Sequence, residues 1–128
     1  MKHIIKIFAL AIIALLTNSC KKSSTGGDAT VVAFPKHHGT PIKGATIYIK
    51  FNAKDLPSDP TSNYDLKVVG EENEDHVHIK GLRYGQYYLY AVGYDESISE
   101  TVVGGMALAI KYKQRKKEID VDIAVSED

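Results

Sequence analysis

Beyond residue 29 the chain is patterned in short runs in which apolar and polar residues alternate, separated by clusters of Gly, Pro, Asn and Asp; this is the pattern of strands with one buried face. In the run 45–51, Ala45, Ile47, Ile49 and Phe51 share one face while Thr46, Tyr48 and Lys50 share the other. Comparable runs occupy 30–34, 66–69, 76–80, 86–95, 101–112 and 118–125, and no stretch among them follows the helical period. The longest, Gln86 to Asp95, sets Tyr87, Leu89 and Ala91 against Tyr88, Tyr90 and Val92. Between the second and third runs, 52–65 is a long loop with two prolines, three aspartates and two asparagines, in which Leu56 and Tyr64 are the side chains able to anchor to the body. Gly104-Gly105 predicts a bulge or sharp bend. Seven short strands joined by regular turns predict an all-β, seven-stranded β-sandwich.

The N-terminus follows a different rule. Lys2 and Lys6 precede an uninterrupted apolar run from Ile7 to Leu16, which predicts a signal peptide. As a helix this run would reach about 15 Å, half of a bilayer core of about 30 Å, so it does not read as a spanning segment. It is followed by Leu16-Thr17-Asn18-Ser19-Cys20, a small residue directly before a lone cysteine. This segment resembles the lipobox of bacterial lipoproteins, in the looser form of Bacteroidetes, with Thr17 standing where the strict form has leucine. The resemblance implies a lipoprotein signal peptide over 1–19, acylation (palmitate) on Cys20 and attachment to a bacterial membrane through the N-terminal lipid. Residues 20–28, containing Lys21-Lys22-Ser23-Ser24-Thr25-Gly26-Gly27, read as a short flexible tether. The folded domain is then expected over 29–128. The absence of an acidic cluster directly after Cys20 points to the periplasmic side of the envelope.

Pro41-Ile42-Lys43-Gly44-Ala45-Thr46-Ile47-Tyr48-Ile49 and, some forty residues on, Gly81-Leu82-Arg83-Tyr84-Gly85-Gln86-Tyr87-Tyr88-Leu89 carry a second resemblance, covering about Thr30 to Val125. They resemble the carboxypeptidase regulatory-like, or transthyretin-like, family, which implies a Greek-key sandwich of the carbohydrate-binding-like kind. Gly44 would permit the turn before the second strand, and Gly81 and Gly85 the tight corner. Such modules serve as appendages, spacers and binding domains, so the resemblance implies no particular activity and brings no zinc.

Composition narrows the remaining choices. Sixteen Lys and Arg balance sixteen Asp and Glu, so the chain lacks the cationic excess of a nucleic-acid binder. One cysteine allows neither an internal disulfide nor a Cys-rich zinc site. His76 and His78, two apart on one strand face, are the sequence's candidates for metal ligation, joined by His37 and His38 if the fold brings that loop near. No HExxH or third ligand at fixed spacing accompanies them, so no functional metal and no cofactor are expected. Glu71, Glu72, Glu74 and Asp75, like Asp55, Asp59 and Asp65, lack the spacing of a calcium loop. No GxSxG elbow is present, and Ser97 and Ser99 have no adjacent histidine, so the chain reads as non-catalytic.

Eight tyrosines and no tryptophan leave one hint of a ligand: Tyr48, Tyr88 and Tyr90 are expected to point outward as a surface for an envelope protein or a glycan. The expected function is thus a lipid-anchored, non-catalytic envelope module. The alternatives are a carbohydrate-binding accessory of a polysaccharide uptake system and a His-based metal-binding protein. The anchor is directly testable. Cys20→Ser is expected to move the protein from the membrane to the soluble fraction, whereas intact-mass analysis showing an unmodified Cys20 or a retained Met1 would overturn the lipoprotein reading.

Overall fold

The computed structural model describes residues 23–128, and in these the alternation is realised as strands. In chain order they are β1 (Thr25–His37), β2 (Thr40–Pro41), β3 (Thr46–Phe51), β4 (Leu66–Val69), β5 (Val77–Leu82), β6 (Gly85–Asp95), β7 (Glu100–Ile110), β8 (Glu118–Ala124) and β9 (Ser126–Glu127). A single 3₁₀ turn, Tyr112–Gln114, separates β7 from β8. The expected signal peptide, Cys20 and the start of the expected tether lie outside the described residues.

The strands form two sheets packed as a sandwich, and the protein is all-β. In the first sheet β1 is central. Its one edge pairs antiparallel with β5 and, further along, with β2; its other edge pairs in parallel with β8 from Thr30↔Glu118 to Lys36↔Ala124. The second sheet has the order β4-β3-β6-β7-β9. Between the sheets lie Ala29, Val31 and Ala33 of β1, Ile47 and Ile49 of β3, Val77 and Ile79 of β5, Leu89 and Ala91 of β6, and Ile123 of β8. These are the inward positions that the alternation identifies. Tyr87 is also fully buried, its ring edge-on to Phe51, and its hydroxyl donates to the Arg83 carbonyl (2.6 Å) and accepts the Ser24 N–H (3.2 Å). Burial pushes its phenol pKa up.

Two expectations give way. A flexible tether through residue 28 does not describe residues 23–28: β1 begins at Thr25, Ser23 is buried with its hydroxyl donating to the Gln86 carbonyl (2.7 Å), and the Ser24 carbonyl accepts the Arg83 N–H (2.9 Å). Polar and glycine residues do this work through hydrogen bonds, which hydropathy patterning cannot register. The second is the bulge at Gly104-Gly105. β7 pairs with β6 in unbroken register through Tyr90↔Gly105 and Ala91↔Gly104. The glycines serve packing instead. A Cβ on Gly104 would lie 2.0 Å from the Ala124 carbonyl oxygen, where the chain leaves β8 and crosses to β9; a Cβ on Gly105 would lie 2.7 Å from the Tyr88 ring on the opposite face. The short strands β2 and β9 are additions that the alternation does not foretell.

Two substitutions separate these roles in urea unfolding. Leu89→Ala should cost about 2–5 kcal/mol, as for buried leucines generally. Gly104→Ala should cost about 1–3 kcal/mol or more, because the obstructing atoms are backbone, while Ala107→Ser on the exposed side of β7 should stay within about 0.5 kcal/mol. A neutral Gly104→Ala would refute the close crossing.

Candidate functional site

β1 and β2 are joined by the two-residue turn His38-Gly39, with His37 opposite Thr40 and φ of 50° and 81° at the two turn residues. Positive φ at both central positions is the type I′ pattern, whose twist suits a hairpin; histidine tolerates it better than most side chains. In an uninterrupted strand His37 and His38 would point to opposite faces. The turn instead brings their rings to 4.4 Å.

His37 occupies the inward phase of β1, four and six positions beyond Ala33 and Val31, and is 5% exposed. Its Nδ1 lies 2.8 Å from Asp95 Oδ2, and its Nε2 lies 3.1 Å from Glu127 Oε2. Asp95 ends β6, is 6% exposed, and has its other oxygen taken up by the Ser97 hydroxyl (2.6 Å) and Ser97 N–H (3.0 Å). Glu127 sits on β9 opposite Val102, with its side chain about half exposed. Ionised carboxylates only accept, so with both ionised the two ring nitrogens must both donate, and the ring is an imidazolium. The hydrogen bond to Asp95 raises the His37 pKa above the usual histidine value, against the opposing effect of burial, and Glu127 adds to the rise. Ser97 first, and His37 after it, hold the Asp95 carboxyl below its usual value. Glu127 is lowered chiefly by its own backbone N–H and then by His37. Donor atoms of His37, His38 and Glu127 all lie within 4.8 Å of one another, the one grouping of three metal-competent side chains among the described residues.

The histidines singled out in the sequence are elsewhere. His76 and His78 do come together, with rings 4.9 Å apart and edge-on, at the start of β5. They do not belong to a group of three converging metal-competent side chains among the described residues: His76 is taken by its neighbour Asp75 (2.9 Å), which raises its pKa, and Glu74 stands at 3.8 Å. Asp75 is lowered by the same hydrogen bond. The four-histidine cluster is not formed among the described residues, because His37 faces inward between the sheets whereas His76 and His78 alternate with the buried Val77 and Ile79 and so lie on the outer face. Of the loop acids, Asp65 accepts the Phe51 N–H (2.7 Å) and pairs with Lys50 (3.6 Å), a structural role.

On the outer face of the second sheet, Tyr48 and Tyr90 are direct cross-strand partners, as the alternation requires. Both are half-buried, as is Tyr88, which lies over Gly105. Aromatic cover of a cross-strand glycine is a known stabilising arrangement. The 52–65 loop reaches this face through one of its two expected anchors. Tyr64 packs edge-on against Tyr48 at 5.1 Å, with Lys67 5.6 Å from the same ring, whereas Leu56 remains 54% exposed. Tyr48 is therefore engaged by its own chain. Tyr88 and Tyr90 border the small residues Gly105 and Ala107 of β7. Burial raises the Tyr90 pKa, and the Asp128 carboxylate adds to the rise.

No protein-family model matches the chain, and no curated protein matches it. The groups that sequence reasoning missed are Asp95 and Glu127, 58 and 90 residues from His37. One signal was available: Asp95 follows Tyr87, Leu89, Ala91 and Gly93 at the inward phase, as His37 follows Val31, Ala33 and Pro35.

The charged triad makes stability depend on pH. A histidine whose pKa is raised by folding contributes fully below its unfolded value of about 6.5 and loses that contribution as pH rises through the folded value. The lowered carboxyls contribute above their unfolded values and lose it as pH falls. With chelator present, the unfolding temperature is therefore expected to drop as pH rises from about 6.5 through the raised value of His37. His37→Gln should flatten that slope; an unchanged slope would assign it to other groups.

Proposed function

We propose that the chain is a lipid-anchored, non-catalytic module of the bacterial cell envelope, acting through contacts with an envelope protein or glycan on the tyrosine-bearing face of the second sheet. Its sandwich is read as the seven-stranded Greek key of transthyretin-like, carboxypeptidase regulatory-like domains, with β2 and β9 as short additions. The two sequence segments behind that resemblance lead into β3 and form the β5–β6 corner, where Gly81 and Gly85 both take positive φ.

The observation that carries the contact reading is the row Tyr64, Tyr48, Tyr90 and Tyr88 beside Gly105 and Ala107. Half-buried aromatic rings next to a strand of small residues offer flat apolar area that a sugar ring or a partner's side chain can cover. Because Tyr64 and Lys67 cover Tyr48, the contact is assigned to Tyr88 and Tyr90.

The anchoring half has its own support. Folded structure begins by Ser23, so Lys21 and Lys22 alone separate it from Cys20, a reach of about 10 Å at most from the lipid. The same end of the sandwich carries the turn Lys111-Tyr112-Lys113-Gln114-Arg115-Lys116-Lys117, since Ile110 is paired with Gly85, which packs on Ser23. Five cations in seven residues beside the anchor suit an anionic headgroup layer, each worth about 1 kcal/mol near such a surface. In this orientation the tyrosine face stands to the side, open to a partner.

Tyr88→Ala and Tyr90→Ala are expected to weaken binding at least about tenfold, the loss of one aromatic anchor, on a glycan array or in cross-linking to envelope proteins, measured at a temperature where circular dichroism shows both variants folded. Binding that neither substitution alters would remove the tyrosine face as the contact site.

A further inference from the structure

We propose that His37, His38 and Glu127 form a binding site for a divalent transition metal of the Zn²⁺ class, with Asp95 as the carboxylate that orients His37. The site is independent of the tyrosine face and of the lipid anchor, and it is not the His76/His78 pair. Three features of the geometry point to it. First, a histidine that ligates zinc typically gives its other ring N–H to a carboxylate, which fixes the ring and raises its basicity. His37 has that arrangement, with Nδ1 on buried Asp95 at 2.8 Å and Asp95 itself fixed by the Ser97 hydroxyl and N–H.

Second, the spacing fits. Bonds of about 2.0–2.1 Å in a tetrahedral site place ligand atoms about 3.3 Å apart. Nε2 of His37 and Oε2 of Glu127 are 3.1 Å apart, so a cation taking the place of the Nε2 proton meets both with small adjustment. The three donor atoms lie within 4.8 Å of one another, and the two that must close in, on His38 and Glu127, belong to solvent-exposed residues. Third, the His38-Gly39 turn, with φ of 50° at His38, is what brings the second imidazole to the side of the first.

Two imidazoles and one carboxylate select a borderline cation over Ca²⁺ or Mg²⁺, which prefer all-oxygen sets. Three protein ligands leave the fourth position to water, on the exposed side of His38 and Glu127. Binding exchanges the Nε2 proton for the metal; the Nδ1 proton stays on the hydrogen bond to Asp95.

The test uses the full chain in detergent, stripped of metal with a chelator and titrated with Zn²⁺ by calorimetry, with Co²⁺ as a spectroscopic probe. One equivalent of Zn²⁺ is expected to bind and to raise the unfolding temperature by several degrees, and Co²⁺ should show the intense visible bands of a four-coordinate centre. His38→Asn keeps a residue that accepts the left-handed backbone, and Glu127→Gln keeps the shape of an exposed side chain, so both variants should fold; each should weaken Zn²⁺ binding at least about tenfold. Asp95→Asn should weaken it about 10–100-fold, as for other outer carboxylates. His76→Ala/His78→Ala should leave it unchanged. Failure of Zn²⁺ to bind, binding indifferent to His38→Asn and Glu127→Gln, or binding abolished by the His76/His78 double variant would each overturn the assignment.

Discussion

The contact between His37 and Asp95 joins the two sheets by charge at the end of the sandwich where apolar packing runs out. β1 belongs to one sheet and β6 to the other, and the 2.8 Å pair between them is nearly closed to solvent. Glu127 adds the last strand to the same imidazole. The chain reaches that position only by leaving β8, which pairs in parallel with β1, and crossing to lie beside β7. The crossing is close. The Ala124 carbonyl occupies the place a side chain at Gly104 would take, and the Val125 N–H is satisfied by the Lys36 carbonyl, next to His37 in β1. Loss of Gly104's openness would thus disturb β9, and through Glu127 the imidazole, although Gly104, Glu127 and His37 are far apart in sequence.

The opposite end is organised by hydrogen bonds. Ser23, Ser24 and Tyr87 tie the first residues of the described chain to the β5–β6 corner through backbone carbonyls, and Tyr87 contributes both a buried ring and a satisfied hydroxyl. A buried phenol without such partners would cost about as much as a lost hydrogen bond, so the seryl backbone and the tyrosine require each other. Residues 23–28 are therefore part of the fold.

Alternation made most of the strands legible, because in a two-layer sandwich each strand must present every second residue to the core. Ile47, Ile49, Ile79, Leu89 and Ile123 are buried as their phase requires. What alternation does not carry is the reason for a glycine or for a polar residue at an inward phase. Gly104 and Gly105 look alike in sequence, yet one makes room for a backbone crossing and the other for a tyrosine ring, and only the three-dimensional neighbour distinguishes them. Phase puts Tyr48 opposite Tyr90, but the return of Tyr64 onto Tyr48 depends on a loop whose conformation rests on Asp59 and Asp65 accepting backbone N–H groups. His76 and His78 are close in sequence, the one kind of proximity a sequence displays. His37, Asp95 and Glu127 are brought together by three separate strands.

Yet those three share a feature visible from phase alone: each continues the inward series of its own run by one step, His37 after Pro35, Asp95 after Gly93, Glu127 after Val125. An apolar trio at these positions would close the sandwich as well, since buried ion pairs are commonly replaceable by packed hydrophobic side chains with no loss of stability, or a gain. The fold by itself gives no reason for a charged imidazole there. One of the surrounding choices also runs against stability taken alone: a non-glycine residue in left-handed conformation at His38. The proposed metal site gives these features a common reason, since the imidazoles and the carboxylate would then be needed as donors facing the same point in space. The tyrosine row, by contrast, is explained to a large extent by its own packing, through Tyr64 on Tyr48 and Tyr88 on Gly105. On physical grounds the chemistry of this module is therefore concentrated at the end of the sandwich where the sheets are joined by His37.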